Sequence, residues 1–246
     1  MTDTPFISCR TLLCTLPDGA GFPQNLGYLL YGALNAALPE DLTCILHAQE
    51  RSPFSAHVRR RPEGMVWVMS GFGEAGQAIL EAAAQVSAVT LPGGDTVMLR
   101  PEAAMQTVSE EAFCRRYLRD EAPRRVLPLR FVTPCAFKSG GAYENFPTPF
   151  HILQSLALTW DAVAQSYRLG DVETLHDLAE HACFSRYNLR SAGYKLKGTA
   201  IPAFLGELTL SLRGPEPLLR IVNLLCALAP FSGIGIKTAL GMGGVD

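Results

Sequence analysis

Several features that would indicate a metal enzyme, a membrane protein or a secreted protein are missing from this chain of 246 residues. The seven cysteines are scattered without a C-x-x-C pair, so we expect small buried hydrophobes rather than zinc or redox chemistry. No run of 18 uncharged apolar residues occurs, and the amino terminus M-T-D-T-P has neither a basic flank nor an apolar signal core. The carboxylates form no D-x-D or D-D-x-x-D cluster, which disfavours a two-metal nuclease. These absences predict a cytoplasmic protein with no cofactor, no metal and no membrane contact.

Lysine is scarce, with 4 lysines against 17 arginines, and the charge is unevenly distributed. The net charge of −2 by itself disfavours phosphate binding. However, residues 139–180 hold six acids and one base, whereas residues 181–246 hold seven bases and three acids. Arg59, Arg60 and Arg61 form a third basic focus. Arginine favours phosphate pairing and stacking on bases, so this bias favours RNA, although solvated charged faces would give the same pattern.

Hydrophobic periodicity and turn residues predict an α+β fold of two tandem ferredoxin-like domains. In the first half we expect a strand at 6–16, a helix at 25–38, a hairpin at 54–70, a helix at 76–86 and a strand at 88–99. This β-α-β-β-α-β order is the ferredoxin-like unit. After a short helix and linker at 109–125, we expect a strand at 126–137, helices at 150–168 and 175–185, a hairpin at 187–212, a helix at 218–229 and a closing strand at 237–241. The domains are therefore predicted at 1–125 and 126–246, and an unrelated α+β enzyme domain stays open as an alternative.

The last sixteen residues, F-S-G-I-G-I-K-T-A-L-G-M-G-G-V-D, form a glycine-rich segment that carries one lysine. Gly233, Gly235, Gly241 and Gly243 make two G-x-G pairs around Lys237. Glycines let a backbone bend sharply and leave amides free to face phosphate oxygens. Because these glycines follow a helix-like apolar stretch, they match neither the dinucleotide fingerprint nor the Walker loop. The segment predicts phosphate contact, with a plain glycine-rich tail as the alternative.

This segment resembles the carboxyl-terminal glycine loop of the CRISPR repeat-processing endoribonucleases, which belong to the repeat-associated superfamily of RNA-binding proteins. Residues 130–156, which include R-F-V-T-P-C-A-F-K-S-G-G, are similar to the start of that family's second domain, and residues 195–212 are similar to its β-hairpin. The first half of the chain matches more loosely. The resemblance implies tandem ferredoxin-like domains and cleavage of CRISPR repeat RNA, as a stem-loop or unstructured. It leaves open whether the chain joins other CRISPR effector subunits or forms a homodimer.

The same resemblance implies metal-independent cleavage, in which a ribose 2′-hydroxyl attacks the adjacent phosphate and leaves a 2′,3′-cyclic phosphate and a 5′-hydroxyl. Such a reaction needs a histidine-like proton carrier and a cation beside the phosphate. The segment C-I-L-H-A-Q-E-R-S-P-F-S resembles the family's stretch between first helix and second strand, and it implies His47 as the catalytic residue. By the same resemblance, Tyr31 would orient the substrate or assist proton transfer, and Arg51 would neutralise the phosphate. A lysine often follows this histidine in the family, but here none precedes Lys138, and arginine supplies charge without a proton.

His57 is the alternative catalytic histidine. It alternates with Ser55 and Arg59 on one strand face, which would point all three towards RNA or simply towards solvent. Tyr194 on the hairpin would either stack on an unpaired base or pack across strands. The residues expected to contact RNA are Gly233, Gly235, Lys237, Gly241 and Gly243 in the tail, Lys195, Lys197 and Arg190 on the hairpin, and Arg59 and Arg60 on the second strand.

Two other functions remain compatible with the sequence. A non-catalytic RNA-binding subunit of a CRISPR effector complex would keep the fold and lack cleavage. A cytoplasmic α+β enzyme for a phosphorylated small molecule would use the glycine loop for a phosphate group and would show no salt-sensitive RNA binding.

Overall fold

The computed structural model describes residues 5–17, 21–48, 51–62 and 64–246. Its first half forms an antiparallel sheet in the order β2-β3-β1-β5-β4, and β6 pairs with the part of β1 that β5 leaves free. Apart from the added edge strand β4, this is the strand order of a ferredoxin-like domain. The elements are β1 (Ile7–Thr15), α1 (Leu26–Ala37), α2 (Glu40–Ala48), β2 (Phe54–Arg61), β3 (Gly64–Phe72), α3 (Gly73–Ala83), β4 (Ala88–Thr90), β5 (Thr96–Pro101) and β6 (Gln106–Val108).

The prediction of a single strand at 88–99 is wrong, because these residues form a hairpin of two strands, β4 and β5. The sequence L-P-G-G-D turns between β4 and β5, and the Leu91 amide donates to the Asp95 carbonyl at 2.8 Å. Only β5 reaches β1, pairing from Leu12 with Pro101 to Thr15 with Met98. Proline and adjacent glycines favour a turn over a continuous strand.

The second half repeats the unit with a sheet in the order β10-β11-β7. A short helix and a π-helical turn (Arg116–Asp120) precede this sheet, in agreement with the short helix and linker predicted at 109–125. Helices α5 and α7 contribute Leu156, Trp160 and Leu225 to the buried cluster beneath this sheet. The elements are α4 (Glu110–Arg115), β7 (Val126–Cys135), β8 (Phe137–Ser139), β9 (Ala142–Glu144), α5 (Pro149–Val163), α6 (Val172–Glu180), β10 (Ala182–Leu196), β11 (Thr199–Leu212) and α7 (Glu216–Ser232).

The closing strand predicted at 237–241 is wrong. Lys237 has a positive φ of 55°, and a single 3₁₀ turn follows at Thr238–Leu240. A ferredoxin-like sheet has a fourth strand beside its first, which here is β7. The residues that pair there lie a little further along the chain, where Val245 forms an antiparallel bridge with Phe131. The Val132 amide donates to the Gly244 carbonyl at 2.9 Å in the same ladder. Glycines on both sides of the 3₁₀ turn let the chain reverse before it reaches β7.

The two halves share buried structure. Phe6, Ile7 and Phe72 of the first half belong to the same hydrophobic cluster as Leu129 and Leu225 of the second. The predicted boundary between residues 125 and 126 falls just before β7, and the division into two domains stays a prediction. Within the described ranges, no helix is long and apolar enough to cross a bilayer.

Candidate nucleic-acid interface and active site

One face of β2 contacts the carboxyl-terminal segment. Residues at i, i+2 and i+4 of a strand share a face, and here that face is an interface between the two halves of the chain. Both alternatives drawn from the sequence, a face towards RNA and a face towards solvent, are therefore wrong for Ser55 and His57. Three pairs form this seam: the Ser55 hydroxyl donates to the Phe231 carbonyl, the His57 ring lies against Gly244, and Arg59 Nη1 donates to Asp246 Oδ1 at 2.9 Å.

His57 is a buried histidine rather than an exposed acid or base. Its side chain is 6% exposed, and its Nε2 has no hydrogen-bond partner among the described residues. Burial lowers the pKa of His57 from 6.5 to about 4, against the smaller opposing effect of Asp246. A Cβ on Gly244 would stand 2.4 Å from the imidazole Cγ, so only glycine fits over the ring. These facts remove access for RNA, and they count against His57 as the catalytic histidine.

The glycine-rich tail uses its amides inside the protein. The amide of Gly233 donates to the Ala229 carbonyl at 2.9 Å, and that of Gly243 donates to the Pro134 carbonyl at 2.9 Å. The Gly235 amide donates to the Ser155 hydroxyl at 2.7 Å. The prediction that these three amides are free to face phosphate oxygens is therefore wrong.

Close packing explains why this tail contains glycine. All four glycines of the G-x-G pairs have positive φ. A Cβ on Gly243 would lie 2.0 Å from the Ile234 carbonyl oxygen, and one on Gly241 would lie 3.1 Å from the Gly27 Cα on α1. A side chain would meet backbone atoms at both places. Any contact of Gly233, Gly235, Gly241 or Gly243 with RNA remains a prediction.

A row of charged side chains crosses from the N-terminal sheet to the C-terminal sheet. Arg59 of β2 pairs with Asp246, whose amide donates to the carbonyl of Arg130 at 2.9 Å. The Arg130 side chain pairs in turn with Glu207 of β11 at 3.3 Å, and Asn188 of β10 lies opposite Glu207. Positive and negative groups therefore alternate along the row, and the register of three antiparallel strands holds it in place.

A cleft of about 440 Å³, the arginine cleft, runs along this row, and four arginines from both halves line it. Among the described residues, Arg60 and Arg190 form no ion pair, whereas Arg59 and Arg130 are each paired with a carboxylate. Unpaired arginines in a concave surface bind phosphate well, because the guanidinium is planar and always charged. Three of the arginines predicted from the sequence are thus brought together: Arg59, Arg60 and Arg190.

Among the residues of the arginine cleft that sequence analysis missed are Arg130 and Asn188. The stretch V-L-P-L-R-F-V-T-P-C alternates, and the structure buries Leu127, Leu129 and Phe131 on one face. That alternation places Arg130 on the opposite face, so the signal was present. The residue facing Arg130 depends on strand register, which no local pattern reveals.

The other predicted RNA contacts lie at exposed or partly exposed positions. Lys195 and Lys197 are exposed near the tip of the β10–β11 hairpin, where Lys197 (φ 48°) and Gly198 (φ 80°) form the two-residue turn. Lys237 is partly exposed in the tail. Tyr194, in contrast, is buried and donates its hydroxyl to the Leu240 carbonyl, so packing rather than base stacking explains it.

His47 lies exposed in the last turn of α2. The preceding residue, Leu46, is buried in the core of the N-terminal half and fixes the end of the helix. Tyr31 is partly buried on α1 in the same core, and burial raises the pKa of its hydroxyl. Arg51 follows α2, has no carboxylate partner among the described residues, and has its pKa lowered by burial. Gln49 and Glu50 of the predicted motif lie outside the described residues.

The structure does not link these three side chains to one another. No hydrogen bond or ion pair joins any two of His47, Tyr31 and Arg51 among the described residues. His47 is an accessible imidazole at the end of a helix. Arg51, four residues further along the chain, is a cation without a carboxylate partner among the described residues. Their catalytic roles remain a prediction.

Comparisons with known proteins agree with this fold. The family model described as CRISPR-associated endoribonuclease Cas6 matches residues 129–245. A CRISPR-associated endoribonuclease Cas6 of Streptococcus thermophilus is 29% identical over 224 residues, covering 90% of this chain and 91% of that protein. A Cas6 endoribonuclease of Mycobacterium tuberculosis is 28% identical over 228 residues, covering 90% of this chain and 71% of that protein. The chain is thus similar to Cas6 endoribonucleases over 90% of its length, and the family model matches most of its second half.

Solved Cas6 structures extend the likeness over the whole chain. Thermus thermophilus Cas6 superposes with a TM-score of 0.73 at 22% identity, covering 98% of both chains. A Cas6 product complex matches with a TM-score of 0.70 at 26% identity, covering 99% of both chains. Another neighbour, with a TM-score of 0.68 and 24% identity, is a Cas6 variant in which a histidine is replaced by alanine. These neighbours support the tandem ferredoxin-like fold.

The fold places an arginine cleft and an accessible histidine on one molecule. Within the described part of the chain, no group of three or more histidine, cysteine, aspartate or glutamate side chains could hold a metal ion.

Proposed function

We propose that this chain cleaves CRISPR repeat RNA by internal transesterification, without a metal ion, and that His47 takes part in the proton transfer. The observation that carries the proposal is the similarity to Cas6 endoribonucleases over 90% of the chain. The exposed position of His47 adds to it, because of the two candidate histidines this is the one that RNA can reach. The cytoplasm is the compartment that this function implies.

The reaction needs few groups from the protein. The ribose 2′-oxygen forms a bond to the adjacent phosphorus, and the bond from phosphorus to the 5′-oxygen breaks. One proton leaves the 2′-hydroxyl and one is gained by the 5′-oxygen, which gives a 2′,3′-cyclic phosphate and a 5′-hydroxyl. Histidine suits either transfer near neutral pH. Arg51 would stabilise the charge that develops on the phosphate, and Tyr31 would orient the RNA.

The arginine cleft supplies the binding component of this proposal. Arg60 and Arg190 are unpaired among the described residues and come from different halves of the chain, so an RNA bound there contacts both domains. Lys195 and Lys197 at the hairpin tip and Lys237 in the tail extend the basic surface. Contacts with phosphates would position the RNA, and they would make its binding sensitive to salt.

The test is cleavage of an end-labelled repeat RNA in excess EDTA by the wild-type protein and by His47→Ala, with binding measured in parallel. We expect His47→Ala to lose cleavage at least about 100-fold, the usual contribution of a general acid or base, while it keeps RNA affinity. The matched control is His176→Ala, which removes another exposed helix histidine. A repeat RNA with hydrogen in place of the 2′-hydroxyl at the cut site should resist cleavage.

The other possible outcomes of this test would contradict parts of the proposal. Cleavage that persists in His47→Ala contradicts the assigned role of that residue. Cleavage that requires a metal ion contradicts the proposed mechanism. Binding by the wild-type protein without cleavage would favour a non-catalytic RNA-binding subunit.

A further inference from the structure

Two aromatic side chains that face solvent side by side have no role in the site described above. Tyr187 is 65% exposed and Phe146 is 57% exposed, and their ring centroids lie 6.4 Å apart with planes at 87°. Tyr187 is the most exposed large apolar side chain of the described residues. Single exposed aromatic side chains are common, whereas adjacent ones offer the contiguous apolar surface that interaction sites use.

The backbone holds both rings in place. Tyr187 lies on β10, opposite the buried Leu208 of β11. Phe146 lies in the short connection between β9 and α5, just before the helix cap at Thr148, whose hydroxyl accepts from the His151 amide at 3.1 Å. The backbone positions of both residues are therefore set by neighbouring regular structure, and the two rings contact each other edge to face.

The arginine cleft lies across the edge strand β10 from the pair, and the bases nearest to Tyr187 along the chain lie on the face that borders the cleft. The residue after Tyr187 is Asn188, which lines the cleft on the other face of the strand, and Arg190 follows two residues later. Arg186, just before Tyr187, is exposed and forms no ion pair with a described residue. Because β10 is the edge strand of its sheet, an RNA strand can pass around it from one face to the other.

We propose that Tyr187 and Phe146 form a stacking site for one unpaired nucleobase of the repeat RNA, next to the arginine cleft. This inference rests on the proposed function. Single-stranded nucleotides are recognised by aromatic stacking beside a positively charged groove, and both features occur here. Paired bases in a helix do not offer a free face, so the ligand is an unpaired nucleotide. The arginine cleft holds its flanking phosphates.

The first part of the test measures the affinity of the full chain for a repeat RNA with a 2′-deoxy group at the cut site, so that it cannot be cleaved. Tyr187→Ala and Phe146→Ala should each weaken binding, by roughly 5- to 100-fold, the usual range for one stacked base. Tyr187→Phe should keep the affinity, because it keeps the ring. The matched control is Val172→Ala, which truncates another apolar side chain that is 58% exposed.

The second part identifies the base from the RNA side with wild-type protein, so it does not depend on the folding of a variant. Abasic sugars are placed one at a time along the repeat. One unpaired position should weaken binding by about as much as Tyr187→Ala does, and the variant should lose little further affinity for that abasic RNA. The salt dependence of binding should stay unchanged in Tyr187→Ala, because no charge is removed.

The inference is overturned if Tyr187→Ala and Phe146→Ala bind as tightly as wild type, or if no abasic position reproduces their loss. Failure of the proposed function has a different signature, since the wild-type protein would then leave the all-ribose repeat uncut. A wild-type protein that cleaves, together with aromatic variants of unchanged affinity, rejects the stacking site alone.

Discussion

Arg59 on β2 and Asp246 at the carboxyl-terminal end of the chain form an ion pair, with 2.9 Å between Nη1 and Oδ1. The pair joins the two halves of the fold inside the wall of the arginine cleft. It also neutralises one of the charges that an RNA phosphate would meet. The same carboxylate therefore connects the two halves of the chain and would compete with an RNA phosphate for Arg59.

Asp246→Asn should separate these two effects. Both side chains are partly exposed, so the free energy of unfolding should fall by less than about 1 kcal/mol. RNA affinity should rise about fivefold, the factor that ~1 kcal/mol of removed repulsion gives. Equilibrium unfolding and RNA titration measure the two quantities. Glu216→Gln is the control, because it breaks the Arg220–Glu216 pair on α7, and weaker RNA binding by Asp246→Asn would contradict the prediction.

Arg60→Ala and Arg190→Ala should each weaken RNA binding and reduce its salt dependence. Each substitution removes one phosphate contact, so the slope of log K against log salt should fall by about 0.7–0.9. Affinities measured at several salt concentrations give this slope. Arg115→Ala removes an exposed arginine of α4 and should leave the slope unchanged. Equal changes in all three variants would show that net charge, rather than the cleft, determines binding.

His57 should make the stability of the protein depend on pH. Its pKa is lowered to about 4 in the folded protein, below its usual 6.5. The unfolded chain therefore binds the proton more readily, and stability is full above about pH 6.5 and falls as the pH drops towards 4. The loss attributable to this residue should reach up to about 3 kcal/mol.

Urea unfolding at a series of pH values between 7 and 4 measures this effect in wild type and in His57→Gln. The variant should lose the part of the pH dependence that His57 causes. His176→Gln, which changes an exposed histidine, should keep it. An identical pH profile for wild type and His57→Gln would rule out the buried neutral imidazole as its source.

Gly243→Ala should destabilise the fold by more than about 2 kcal/mol, because positive φ and overpacking each cost roughly 1–3 kcal/mol. The new Cβ would stand 2.0 Å from the Ile234 carbonyl oxygen. Gly198→Ala is the control, since that glycine also has positive φ but has open space around its Cβ position. It should lose only the smaller strain energy of about 1–2 kcal/mol. Equal losses for the two variants, measured by denaturant unfolding, would contradict the packing role of Gly243.

Much of the fold could be predicted from local sequence. Alternation of apolar residues, helical spacing and turn residues located the main strands and helices of both ferredoxin-like units. Helix α2, which carries His47, and the short strands β6, β8 and β9 were not predicted. Two predicted strands were wrong where glycines interrupt the pattern, at the turn between β4 and β5 and in the tail after α7. There, I-K-T-A-L has residues typical of a strand, but the flanking glycines allow a 3₁₀ turn that packs between the two halves.

The candidate site was only partly predictable, and His57 shows the reason. Alternation correctly placed it on one face of β2 with Ser55 and Arg59, but it could not reveal that the carboxyl-terminal segment covers that face. Tyr194 and Tyr187 illustrate the same point, because they lie on one strand, and yet the first is buried and the second is exposed.

The sequence by itself determined the order of the main strands and helices and the residues available for RNA chemistry. Those properties depend on neighbours along the chain, through side-chain periodicity and backbone conformational preference. The tertiary structure decided which of the available residues meet. The arginine cleft unites Arg59 with Arg130 and Arg190, and the seam buries His57, because burial and electrostatic environment arise from segments that are distant in sequence and adjacent only after folding.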